Sequence, residues 1–84
     1  MSYWHYVNVY KICPHTKEKF CEVHELYISD NEKIEAITEN PVTLSANNPD
    51  ELIEMLKMIQ DDVANYPAID YNMLQKYFKE KKNV

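Results

Sequence analysis

The chain opens with three stretches of β character and closes with two of helical character. From Tyr3 to Ile12 it is rich in Tyr, Val, Trp and Ile, and it stops at Cys13-Pro14-His15-Thr16-Lys17. That pattern predicts a strand over 3–12 followed by a polar turn. A second strand is expected over 20–28. Ser29-Asp30-Asn31-Glu32 has turn chemistry, with Asn31 the residue best suited to positive φ, and a third strand is expected over 33–38. Short connections of this kind favour an antiparallel meander over a parallel sheet.

Pro41 ends the third strand. Asn48-Pro49-Asp50-Glu51 then combines an N-cap residue, Pro at the first helical position, acids in the first turn and Glu three residues after the cap. Leu52, Met55 or Leu56, Ile59 and Val63 recur at helical spacing, so a main helix over 49–65 should lay an apolar stripe on one sheet face. After Tyr66-Pro67, Asp70 is placed to cap a shorter helix over 70–82, with Leu74, Tyr77 and Phe78 on one side and lysines at its end. The expected fold class is α+β: a single domain over 1–84 with a three-stranded antiparallel β-meander, one main helix packed on one face and a shorter C-terminal helix. With one helix for cover, the second sheet face should stay open to a partner.

Composition changes this picture in two ways. The 84 residues include no glycine, so Asn, Asp and Pro must make the turns. All nine cations are lysine, and the missing arginine fork counts against direct recognition of nucleic acid. The acids are also unevenly placed. Residues 22–62 hold eleven acids and two lysines, a local net of −9 within a chain of net −5, so the middle of the chain should project a field that favours basic partners. The start carries no secretory signal pattern and no apolar run reaches membrane-spanning length, which leads to a cytoplasmic expectation with reduced cysteines.

Candidate chemistry is sparse. Cys13, His15, Cys21 and His24 are zinc-type ligands flanking one turn, but C-x-H followed by C-x-x-H matches no established zinc spacing, so neither metal nor other cofactor is expected. His24 and Glu25 are neighbours on a strand and should face opposite ways, which removes them as an acid-base pair. Nothing is spaced to complete a nucleophilic arrangement, and no glycine loop exists for phosphate.

Phe20 to Pro41, read as F-x-x-x-H-E-L-Y-x-x-x-x-x-K-I-E-A-x-T-E-x-P, resembles a family of small uncharacterised bacterial and phage proteins. The resemblance extends through the P-D-E-L-x-E-M-L-x-M-I helix and Tyr66-Pro67-Ala68-Ile69-Asp70-Tyr71, and it begins with the W-x-Y of Trp4-His5-Tyr6. The chain departs from the family at the second turn, where Glu32 stands in place of a common Gly. Three strands followed by an acid-capped helix are also similar, more loosely, to the amino-terminal part of HicB-like antitoxins, without their Gly-rich strand segments. In size and acidity the chain is similar in type to anti-CRISPR proteins.

The function expected from these features is non-enzymatic: a small acidic interaction protein of a phage or mobile element that blocks a basic nucleic-acid-binding surface of a larger protein or ribonucleoprotein. Glu22, Glu25, Glu35, Glu39, Asp61 and Asp62 are the expected contact carboxylates, with Tyr10 and Tyr27 as aromatic anchors. The alternatives are an antitoxin-like or regulatory module that pairs with a partner protein or dimerises, and a zinc-stabilised mini-domain. Direct nucleic-acid and membrane binding are not expected.

Overall fold

The computed structural model describes residues 2–82, with side chains over 2–79. Strands β1 (Tyr3–Ile12), β2 (Lys19–Ile28) and β3 (Ile34–Ile37) precede helix α1 (Pro49–Asn65), strand β4 (Ile69–Asp70) and helix α2 (Tyr71–Lys82). The sheet order is β3-β2-β1-β4. Neighbours among β1, β2 and β3 pair antiparallel as expected, but β4 runs parallel to β1, with Ile69 opposite Val9 and Asp70 opposite Tyr10. The sheet is therefore mixed and four-stranded, not a three-stranded meander. A two-residue strand leaves no periodicity to read, and its parallel pairing exists only because α1 carries the chain back along the sheet.

The turns resolve how a chain without glycine reverses. Between β1 and β2, Cys13 N–H donates to the Glu18 carbonyl and Lys17 N–H to the Cys13 carbonyl, both at 2.9 Å, with Lys17 at φ 66°. Between β2 and β3, Glu32 N–H donates to Ser29 O at 2.9 Å and Ser29 N–H to Lys33 O at 2.8 Å. The left-handed residue there is Glu32, at φ 59°, and not Asn31. This hydrogen-bond pattern puts the residue after the tight turn in the left-handed region, and that position is Glu32.

Alternation along β1 and β2 makes two faces. One carries Val7, Val9, Leu26 and Ile28, which form the buried core with Ile34, Ile37, Ile69 and Tyr71 packed against them. Helix α2 meets this core through its first residue, Tyr71, and also buries Leu74; the cations Lys81 and Lys82 expected at its end lie outside the described side chains. Asp70 caps α2 as expected, its Oδ1 accepting from Asn72 N–H at 2.8 Å and Met73 N–H at 3.3 Å.

Helix α1 differs from expectation. It starts as its cap predicts, with Asn48 Oδ1 accepting from Glu51 N–H at 2.9 Å, although the Glu51 carboxylate reaches back to Asn47 N–H instead of the cap residue. None of its residues is fully buried, but Leu52, Met55, Ile59 and Val63 of the expected stripe are half-buried, whereas Leu56 is exposed. The helix lies against β1 and is tied there at its C-terminal end. Because β4 reaches only Val9 and Tyr10, Tyr6 N–H has no strand beside it, and Asp62 Oδ2 accepts it at 2.9 Å. Tyr66, the C-cap of α1, stacks on His5 with centroids 3.6 Å apart. The radius of gyration, 14.3 Å, exceeds the roughly 12 Å of a closely packed chain of this length.

Candidate functional site

The β1–β2 register decides which candidate residues meet. Tyr3 pairs with Ile28 and each rung follows in step to Ile12 with Lys19, so residues opposite one another share a face. The core face takes Val7 with His24 and Val9 with Glu22; the other face takes Trp4 with Tyr27, Tyr6 with Glu25 and Tyr10 with Cys21.

On the core face His24 is fully buried. Its Nδ1 lies 3.0 Å from the Thr38 carbonyl and its Nε2 3.1 Å from Glu22 Oε2, which also accepts from Lys11 Nζ at 2.8 Å. The Lys11 hydrogen bond, helped by His24, holds the Glu22 carboxyl below its usual range. Thr38 Oγ1, at 3.3 Å from Nδ1, completes a hydroxyl-imidazole-carboxylate row. The Thr38 hydroxyl also accepts from Glu25 N–H at 3.1 Å, and the imidazole beside it is fully buried, so the row lies inside the hydrogen-bond network that joins β2 to the end of β3. This network is structural: it satisfies a histidine at the centre of the core. His24 and Glu25 do face opposite ways, and the carboxylate that reaches His24 is Glu22, two residues back on the same face. Period-two alternation contained that signal.

The second face gathers aromatic rings around a carboxylate. Trp4 and Tyr6 meet edge to face at 5.1 Å, Tyr27 O–H donates to Glu25 Oε1 at 3.0 Å, and Lys19 Nζ stands 4.2 Å over the Tyr10 ring. The Glu25 contact keeps the Tyr27 hydroxyl proton on, above the usual phenol range. Burial does the same for Tyr6, with Glu25 and Asp62 adding to it. The face is not bare, since Tyr6 is buried and Tyr10, Val23, Glu25 and Tyr27 are half-buried, while Trp4 stays exposed at its end.

Of the expected contact residues, Glu25, Tyr10 and Tyr27 come together on this face. Glu22 lies on the opposite face in the His24 network, and Asp62 is engaged by Tyr6 N–H. Asp61 is exposed on α1, and exposed Glu35 and Glu39 lie in and just beyond β3, at the far edge of the sheet from α1. Trp4 belongs with the group; its place opposite Tyr27 could be found only from the register.

The zinc-type residues do not assemble. Cys21 and His24 point to opposite faces and His15 is exposed in the turn; among the described residues no group of three or more His, Cys, Asp or Glu is placed to hold a metal. Both cysteines are free thiols. The Thr16 hydroxyl, with backbone N–H groups of Thr16 and His15, lowers the Cys13 thiol from its ordinary value. No helix among the described residues is long and apolar enough to cross a membrane. Comparison with protein-family models, with curated proteins and with solved structures finds no match to this chain.

Proposed function

We propose that this chain is a non-enzymatic interaction protein that meets a basic surface of a larger protein or ribonucleoprotein and occupies a site that would otherwise bind nucleic acid. The observation that carries the reading is the placement of Trp4, Tyr10, Tyr27 and Glu25 on one sheet face, a combination of rigid aromatic area and carboxylate suited to a Lys- or Arg-lined groove. The net charge of −5 supplies long-range steering toward such a groove. The resemblance of residues 4–71 to small phage and bacterial proteins suits an inhibitor carried by a mobile element.

Affinity purification from the cell that encodes the protein, followed by measurement of the reconstituted complex at rising ionic strength, tests this. A partner with a nucleic-acid-binding groove, lost steeply as salt rises and weakened by Glu25→Lys and Tyr27→Ala, is the expected result. Salt-insensitive binding would remove the charge-based mechanism.

A second reading, an antitoxin-like module that pairs with a small partner or with itself, draws on α1. Ile53 and Leu56 extend its apolar arc beyond what β1 covers and are 49% and 45% exposed. A small basic toxin in place of a ribonucleoprotein in the purification, or a concentration-dependent dimer disrupted by Leu56→Glu, would favour it.

A further inference from the structure

The outer edge of β3 borders a groove of about 620 Å3, walled on one side by Glu35, Ile37 and Glu39 and on the other by Tyr71, Gln75 and Phe78 of α2. We infer that this groove takes an extended, lysine- or arginine-bearing segment of a protein partner, which adds to the sheet as a fifth strand against β3. The inference rests on the reading of a basic protein partner, but it concerns a different surface from the Trp4–Tyr27 face.

Three observations carry it. First, β3 ends the sheet, so one side of its backbone pairs with no strand, and an incoming segment can supply the missing ladder hydrogen bonds. Second, the edge is shaped. The register shifts between Tyr27 and Ile28, which oppose Ala36 and Ile34, so Glu35 is an extra residue on β3. A bulge at a sheet edge re-aims the side chain it carries, and here Glu35 lines the groove. Third, charge selects the occupant. Glu35 and Glu39 on the β3 side are exposed and have no ion-pair partner among the described residues, whereas Lys76 and Lys79 line an adjoining concavity beyond Gln75 and Phe78 and not the groove itself. The half-buried rings of Tyr71 and Phe78 offer apolar wall to alternate side chains of a strand whose other side chains meet the two carboxylates. The volume suits a few side chains, within the few hundred to about 1,000 Å3 of ordinary binding clefts.

The test is titration of the isotope-labelled full chain with a capped seven-residue peptide of alternating Lys and Val, followed by amide NMR. The expected result is saturable shifts at residues 35–39, 75 and 78. Binding should be weaker by about tenfold for a peptide of the same composition with its lysines and valines in blocks, for an alternating peptide N-methylated along one edge, and for the double variant Glu35→Lys, Glu39→Lys. An otherwise unchanged spectrum of that variant shows that it remains folded. Equal binding of the block peptide would reduce the interaction to charge and overturn strand addition, as would the absence of saturable shifts at millimolar peptide. Shifts confined to Trp4, Glu25 and Tyr27 would overturn the groove while favouring the sheet-face reading. Full partner binding by the double variant, with loss in Glu25→Lys, would likewise separate the two.

Discussion

His24 Nε2 lies 3.1 Å from Glu22 Oε2, and this contact joins the buried centre of the sheet to a half-exposed ion pair with Lys11. Period two puts both residues on the core face, where a histidine needs a partner that the surrounding Val, Leu and Ile cannot supply.

Acid should weaken the fold through Glu22. Its carboxyl is held below the unfolded value, so its contribution is complete above the ordinary carboxylate range near about 4.3 and is lost as pH falls through the lower folded value. Denaturant melts between neutral pH and pH 2 should show the wild type losing this increment. Glu22→Gln should be less stable by about 1 kcal/mol at neutral pH and show a flatter acid limb. Parallel acid limbs for the two proteins would contradict the assignment.

Replacing His24 by Leu keeps much of the volume but leaves the Thr38 carbonyl and the Glu22 carboxylate without the imidazole. A loss of about 2–3 kcal/mol in urea denaturation is expected. His15→Leu, in the exposed turn, should stay within about 0.5 kcal/mol of wild type.

Asp62 fastens α1 to the sheet. Asp62→Ala should cost about 1–2 kcal/mol and speed hydrogen exchange at the Tyr6 amide, whereas Asp62→Asn keeps an acceptor for that N–H and should restore much of the protection. Unchanged exchange at Tyr6 in the Ala variant would mean that the helix is held by other contacts.

The left-handed turn residue Glu32 is a place to gain stability. Glu32→Gly relieves a steric cost of about 1 kcal/mol, worth about 4–8 °C in Tm for a chain of this size. Asn31→Gly should give no such gain, because Asn31 does not hold the positive φ. Thermal melts of the two variants side by side distinguish them.

Much of the fold was legible in the linear pattern because its causes are local. The cap at Asn48, the Tyr66-Pro67 stop and the Asp70 cap each act within one helical turn, and α1 begins and ends, and α2 begins, at those signals. The β1–β2 hairpin follows from two β-rich runs joined by a short polar turn, and alternation alone separated His24 from Glu25. Alternation also held the Glu22–His24 pairing, which depends only on a shared face.

What the sequence by itself determined about this protein is therefore its elements, its caps, the period-two faces of its strands and the acid-rich middle of its chain. Only the tertiary structure decided the parallel pairing of β4, the docking of α1 along β1 through Asp62 and the meeting of Trp4, Glu25 and Tyr27 on one face. Each depends on register or docking between segments distant in the chain, set by how the whole chain closes on itself. The carboxylates are dispersed by the same fold: Glu22 and Glu25 fall on opposite faces because a strand turns side chains alternately, while the bulge sets Glu35 at the β3 edge and the docking of α1 sets Asp62 at the β1 edge.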